Sequence, residues 1–373
     1  MDVKTRDKSI QELKEMVTRP VDYSASKEQC QDYFYYLKGI SMLFPWLQSY
    51  EYSGALTLAA HYGRRGGLID EALAFIEREY PKYSAEVKYD YYNKSTLLFQ
   101  WAALLDEKGK RHESLEMVKK ATLYNLTDNV TYKDYEFLSF RACTKYVLSE
   151  IADETLSLMH PSEFNDPMDT VMLQWLENQI KLGAAGFENQ KEALKNLRVR
   201  CFSRTAKLPR GDSPEEVMRL RRQQKQNVCR VNPLMWAHYA DNHKGICIKY
   251  KFDSRLFPLL SDDETEMYRI GNIDYKSKFS INEFEIRVWD ALFAKSKVWE
   301  YEHEARLIYF STKDVPKVKT VKVPGAIVGI YLGLRCSGED ERIIKALVKD
   351  RNIPVYRMYT DINNVYKLRA RQI

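Results

Sequence analysis

No run of about 18 apolar residues occurs anywhere in the chain, so no membrane-spanning helix is expected. The opening MDVKTRDKSIQELKEM lacks the apolar centre and small-residue cleavage site of a secretory leader. The expected compartment is the cytoplasm, with no membrane partner. Cysteine is sparse and scattered, at Cys30, Cys143, Cys201, Cys229, Cys247 and Cys336. No two form a C-x-x-C pair, which argues against a zinc ribbon or a dithiol redox centre. In Ile246-Cys247-Ile248 the thiol reads as a small hydrophobe. His238 and His243 do not share a helix face as an H-x-x-x-H pair does, so no metal is expected. Phosphate-loop, dinucleotide-binding, zincin and nucleophile-elbow motifs are all missing, which weakens ATPase, Rossmann, metalloprotease and α/β-hydrolase readings. No excess of one charge appears either. With 58 basic and 52 acidic residues the net charge is +6, a mixed surface rather than a polyelectrolyte partner of nucleic acid. The run RLRRQQK at Arg219–Lys225 reads as a solvated helix face, with nucleic-acid contact as the alternative.

What is present suffices for more than one domain. The 373 residues exceed the roughly 100–200 typical of one domain, and a 45% hydrophobic share can fill a core. The first third reads helical and echoes itself. AAHYGRRGGLIDEALAFIE (Ala59–Glu77) and AALLDEKGKRHESLEMVK (Ala102–Lys119) align Gly67 with Gly109. The same alignment pairs Glu71 with Glu113, Ala72 with Ser114, Leu73 with Leu115 and Ile76 with Val118. Each copy predicts a helix, a glycine turn and a second helix, with a small residue where the two must approach. The pattern is similar to tetratricopeptide repeats, at an offset of about 40 rather than ~34 residues. A third helix pair is expected at Tyr33–Leu43 and Leu47–Leu58, broken at Pro45. Stacked units of this kind hold a protein or peptide partner on a concave face. Tyr80–Tyr92 supplies either that face or packing.

After about Val130 short apolar runs alternate with turn signals, at Tyr135–Cys143, Leu156–His160, Gly245–Phe252, Arg306–Phe310 and Ala326–Leu332. Helical stretches separate them at Asp169–Leu182 and Glu215–Gln226. The expected fold class is therefore α+β: an all-α, TPR-like repeat segment over 1–130, then a compact α+β domain over 131–373.

Four motifs in the second part carry candidate chemistry. In PSEFNDPMD (Pro161–Asp169), Asn165 and Asp166 precede a proline and either build a turn or line a pocket. CFSRT follows at Cys201–Thr205. NPLMWAHYADNHKG (Asn232–Gly245) places Trp236, Tyr239 and Ala240 on one helix stripe, a packing face, with His238 on another. In KSKVWEYEHEARLIYF (Lys295–Phe310), a strand over Glu302–Phe310 would aim Glu302, Glu304 and Arg306 to one side. Two carboxylates so placed are costly unless paired or used. The alternatives are an ion pair with Arg306 and a catalytic glutamate held by its neighbour.

These motifs, taken in order over about Tyr135–Ile373, resemble a bacterial domain of unknown function, family twenty-nine seventy-one. The pattern departs at Met168, where phenylalanine is usual, and at Phe140-Arg141-Ala142 in place of a tyrosine-rich strand. The order of early basic strand, helix, strand and late E-x-E also resembles ADP-ribosyltransferase-like folds. That resemblance implies NAD as a substrate, with no tightly bound cofactor. It casts Glu304 as the catalytic carboxylate, Glu302 as its helper and Arg141 as the NAD-phosphate contact. His238, Tyr239, Asn165, Asp166, Ser203 and Arg306 become candidate pocket residues. It implies an NAD-consuming effector of bacterial conflict or phage defence, with a helical sensor arm. A non-catalytic nucleic-acid-binding or adaptor protein and a nuclease remain the alternatives.

Overall fold

The computed structural model of the chain describes residues 3–18, 21–40, 47, 49–86, 90–126, 136–164, 169, 174, 176, 178, 180–181, 187–205, 231–253, 255–278 and 292–373. Six helices come first: α1 (Val3–Thr18), α2 (Lys27–Ile40), α3 (Ser49–Arg65), α4 (Ile69–Glu86), α5 (Tyr91–Glu107) and α6 (Arg111–Leu126). The sequence echo is an echo of turns. Gly67 and Gly109 share φ +73°. Each donates its N–H to the carbonyl three residues back, Arg64 at 3.1 Å and Asp106 at 2.9 Å. The following N–H reaches five residues back, to Gly63 at 2.8 Å and Leu105 at 2.9 Å. This double bond closes a helix on a left-handed glycine and satisfies its last carbonyls. The small residues also do as expected. A Cβ on Gly63 would lie 2.7 Å from that of Ala72, and the Ser114 hydroxyl donates to the Ala102 carbonyl at 2.9 Å.

At Gly109 a Cβ would meet nothing within 4 Å, so Gly109→Ala isolates the backbone penalty of the left-handed conformation. The expected loss is about 1–2 kcal/mol, read as a lower urea midpoint at unchanged slope.

The expected third pair is different. Leu47–Leu58 is not a separate helix, because α3 runs without a breaker through Leu58–Ala59 to Arg65 and is itself the first helix of the Gly67 unit. Its partner before that is α2; Pro45 lies outside the described residues. The tyrosine-rich stretch is largely packing. Tyr80 and Tyr83 are buried, Tyr83 donates to Asp90 at 2.9 Å, and Tyr91 lies against Tyr124 with ring centroids 5.7 Å apart.

The second part is built on strands β1 (Phe137–Arg141), β2 (Thr155–Met159), β3 (Leu197–Arg204), β4 (Ile246–Tyr250), β5 (Glu266–Asn272), β6 (Asp274–Lys276) and β7 (Ala294–Ser296). β8 (Glu304–Ser311), β9 (Val318–Lys322), β10 (Ile327–Leu332), β11 (Val355–Asp361) and β12 (Asn364–Gln372) complete them. Helices α7 (Lys145–Asp153), α8 (Phe187–Leu194), α9 (Pro233–Tyr239) and α10 (Gly338–Val348) lie between. Side-chain caps fix several starts: Thr144 on α7, Asn232 ahead of Pro233 on α9, and Ser337 on α10. The architecture is α+β, as expected. Of the two helical stretches expected here, Glu215–Gln226 lies outside the described residues and Asp169–Leu182 does so in large part.

Ten strands form one sheet, in the path β12-β11-β10-β4-β1-β3-β2-β9, with β8 and then β5 added on β3; β6 and β7 pair separately. β3 is where the sheet divides. One edge is covered by antiparallel β8, from Leu197↔Phe310 to Ser203↔Glu304. The other edge meets β1 at Ser203 and Arg204, and β2 at Val199. Between those pairings β1 and β2 part, and a cavity opens beside Arg200, Cys201 and Phe202.

The two parts of the chain share a core. Leu123 of α6 packs with Leu194, Leu197, Met267 and Phe310. α8 stacks on the last helix pair through Ala193 against Ala102 and Val118, and Asn189 donates to the Ser114 hydroxyl at 2.9 Å. The next residues after α8 and its turn are β3 itself.

Candidate active site at the fork of the sheet

The cavity at the fork is about 380 Å³, within the usual span of small-molecule sites. Its walls come from every strand around the division. β1 gives Ser139 and Arg141, β3 gives Arg200 to Ser203, α9 gives Met235 and Tyr239, and β7 gives Lys295. Glu302, Glu304 and Asp169 complete the polar lining, and Phe164 closes one side.

Two backbone features hold β1 and β4 in place here. Asp241, Asn242 and His243 take φ of 45°, 51° and 68°, a left-handed turn that returns the chain from α9. A Cβ on Gly245 would then sit 2.1 Å from the Arg141 carbonyl. Only glycine lets β4 enter the sheet at the end of β1.

Glu302 and Glu304 do not share one strand face, contrary to the sequence expectation. β8 begins at Glu304, and Glu302 ends a 3-10 turn (Lys297–Glu302). His303 between them has φ 45°, and this reversal lets both carboxylates meet on one cation. The Lys295 Nζ lies 2.6 Å from Glu302, 3.0 Å from Glu304 and 3.1 Å from Asp169. Arg306, 1% exposed, donates its Nε to Glu304 at 2.7 Å. Its Nη2 reaches Asp169 at 3.1 Å and its Nη1 the Leu292 carbonyl at 2.7 Å. Tyr239 donates to Glu302. The Tyr275 hydroxyl accepts the Glu304 N–H at 2.7 Å.

The two glutamates are therefore pushed in opposite directions. Burial raises Glu304, but the charges of Arg306 and then Lys295 outweigh it and hold the carboxyl down to about 2. Burial of Glu302 is only partly offset by Lys295 and Tyr239, so its pKa stays raised. Burial likewise raises Asp169, against the opposing charge of Arg306. Cys201 is pushed well up by burial and then by Glu304, so it remains a thiol. Burial and the bond to Glu302 raise Tyr239, which stays a phenol donor. Among the described residues, three carboxylates surround two cations at this end of the cavity.

At the opposite wall the balance reverses. Glu150 of α7 accepts from Arg141 at 3.4 Å and from Arg200 at 3.5 Å. Its other oxygen takes the Ser157 N–H at 3.1 Å. Arg141 is lowered to about 10 by burial and then by its neighbour Arg200, against the pull of Glu150.

Of the residues singled out in the sequence, Arg141, Ser203, Tyr239, Glu302 and Glu304 line this one cavity. Arg306 stands behind Glu304 rather than on the wall. His238 is a correction: it is exposed, beside Trp299 at 6.4 Å between ring centroids, because one helical step turns it away from Tyr239. Trp236 packs as expected, edge-on to Phe140 at 5.3 Å. Asn165, Asp166 and Arg219–Lys225 lie outside the described residues. Sequence reasoning missed Lys295, Arg200, Glu150 and Asp169. Asp169 closes one quoted motif and Lys295 opens another, each at the end that carries no pattern; Arg200 and Glu150 carry no local signal.

Among the described residues no group of histidine, cysteine and acidic side chains is arranged to hold a metal, and no helix is long and apolar enough to cross a membrane.

Residues 235–307 match the model of a family described as "Protein of unknown function (DUF2971)". This is the family expected from the motifs, over a shorter span than Tyr135–Ile373. The matched segment holds Tyr239, Lys295, Glu302, Glu304 and Arg306, while Arg141, Asp169 and Arg200 lie before it. No curated protein and no solved structure matches the chain.

Proposed function

We propose that a chain built on this family's segment is a cytoplasmic, NAD-consuming enzyme of the ADP-ribosyltransferase-like kind, its helical repeats serving to hold a protein or peptide partner. One observation carries the reading. Two glutamates, on a late strand and the turn before it, share a cavity with an arginine from the first strand, and both meet on Lys295.

A nucleotide glycoside such as NAD leaves a cationic sugar carbon when its bond to nicotinamide breaks. The bonding pair departs with the nicotinamide, and C1′ of the ribose becomes oxocarbenium-like. Glu304, ionised at any ordinary pH, suits the stabilisation of that carbon and a hydrogen bond from a ribose hydroxyl. It is held rigidly by Arg306 and Lys295, so little reorganisation accompanies charge development. Glu302, with its raised pKa, suits the other task, taking the proton from water or an acceptor hydroxyl as it adds to C1′. With water the products are nicotinamide, ADP-ribose and a proton.

A pH profile tests the division of roles. Glu302 should be active as the carboxylate, so the rate of nicotinamide release rises with pH through its raised pKa. The acid limb is expected above the ordinary value of 4.5. Glu302→Gln should flatten that limb and lower the plateau by about 10²–10⁴-fold. An unchanged limb in a folded Glu302→Gln protein removes Glu302 from the proton transfer.

A further inference from the structure

We propose that β12 is a docking edge for an extended, acidic segment of a partner protein, which joins the sheet as one further strand. None of its residues lines the cavity, so the edge does not depend on what the cavity binds.

The sheet has three ends, and two of them are closed to further pairing. The segment before β5 covers its outer side: the Ser261 N–H donates to the Glu266 carbonyl at 2.8 Å and the Tyr268 N–H to the Pro258 carbonyl at 3.2 Å. β9 is five residues long. Its lysines are tied down, Lys319 to the Tyr309 hydroxyl at 3.2 Å and Lys322 to the Asp153 carbonyl at 3.1 Å. Short, lysine-bearing edges resist pairing. β12 is nine residues long and, among the described residues, pairs on one side only, with β11. The Ile373 N–H donates to the Val355 carbonyl at 3.0 Å. Bonded residues alternate along an antiparallel pair, so the peptide groups of Arg371 and Arg369 face β11. Those of Leu368, Ala370 and Gln372 point out from the sheet.

The side chains define what can fill this edge. Leu368 and Ala370 face inward, onto Trp236 and Met358. Exposed Lys367, Arg369 and Arg371 alternate with them, and Arg371 stands directly across from Arg357. Asp361 ion-pairs with Arg369 and also feels the charge of Lys367. Lys367 and Arg371 form no ion pair among the described residues. A second copy of the strand would set these cations against one another, and like charges across strands are destabilising. The charges that keep two copies apart select an acidic strand. A single-stranded nucleic acid could meet the cations, but its phosphates carry no donors for the outward carbonyls. A peptide backbone supplies both donor and acceptor. Beside the turn, Ile362, Val365 and Tyr366 are 94%, 66% and 87% exposed, which gives the partner apolar surface at one end.

Fluorescence anisotropy of the full chain with a labelled peptide of alternating threonine and glutamate tests this. The peptide should bind at low salt, and its lysine-for-glutamate counterpart at least about tenfold more weakly. Lys367→Glu combined with Arg371→Glu should weaken the glutamate peptide by about 10–100-fold. Two further peptides carry methyl groups on alternate backbone nitrogens. The one blocked on the side that faces β12 should lose at least about tenfold, and the other little. Ala370→Pro removes a donor from the open edge alone and should weaken the glutamate peptide likewise; should it fail to fold, the methylated pair carries the comparison. No binding at low salt, equal binding of the two methylated peptides, or equal binding of the glutamate and lysine peptides overturns the proposal. So does an oligouridylate that binds more tightly than the glutamate peptide and is lost in the same double variant. A dimer in sedimentation that Ala370→Pro dissociates puts a second copy on the edge instead.

Discussion

Glu304→Gln is expected to reduce nicotinamide release from NAD by about 10²–10³-fold, the usual effect of removing one group aimed at developing charge. The loss should fall on kcat, because the carboxylate interacts more strongly with the cationic sugar carbon than with the ground state. Glutamine keeps the shape of the side chain and one acceptor oxygen, but not the charge that faces Lys295 and Arg306. Some stability goes with it, about 1–3 kcal/mol, so rates are compared at a temperature where circular dichroism shows both proteins folded. A folded variant with an unchanged rate takes Glu304 out of the chemistry. A variant that cannot fold at all makes Glu304 a structural residue.

Arg306→Met should have the largest effect on stability, about 3–5 kcal/mol at pH 7. The side chain is fully buried and engages Glu304, Asp169 and the Leu292 carbonyl together. Methionine fills much of the space, leaves Glu304 and Asp169 with Lys295 as their remaining cation among the described residues, and takes the Arg306 donor from the Leu292 carbonyl. The difference should depend on pH, in a known direction. Glu304 is held at about 2, below its ordinary 4.5. Its contribution is therefore complete above pH 4.5 and is lost as pH falls towards 2. Without Arg306 the carboxylate gains less from ionisation. The gap between wild type and variant should then narrow in urea melts run at successively lower pH. A gap that stays constant from neutral to acid pH would mean that lost packing, rather than the ion pair, sets the effect.

How legible all this was in the sequence depended on whether a feature is local. The Gly67 and Gly109 units could be read because a left-handed turn and a tight helix contact each demand a residue type at a fixed offset. The boundary between Leu58 and Ala59 could not, since nothing in the sequence marks a helix as serving two neighbours. Glu304 and Arg306 were legible as an alternating pair on a strand. Glu302 was assigned to that strand because His303 has no feature announcing its left-handed backbone. The outcome still brought the two glutamates together, through Lys295. That lysine sits on a three-residue strand with no pattern of its own. Arg200 and Glu150 are ordinary charged residues until the fold sets them beside Arg141. Pairings between distant segments leave no trace in periodicity, which is why the acidic end was half visible and the basic end hardly at all.

α8 ties the fate of the cavity to the helices before it. Its Ala193 rests on α5 and α6, and after a two-residue turn the chain becomes the strand that carries Arg200, Cys201 and Ser203. A chain cut after Leu126 would keep every residue of the cavity wall yet bare the apolar flank made by Ala193, Leu194, Leu197 and Phe310. The strand under the cavity would lose its backing, so the sheet does not stand as a unit independent of the helices. The repeats are structurally its other half.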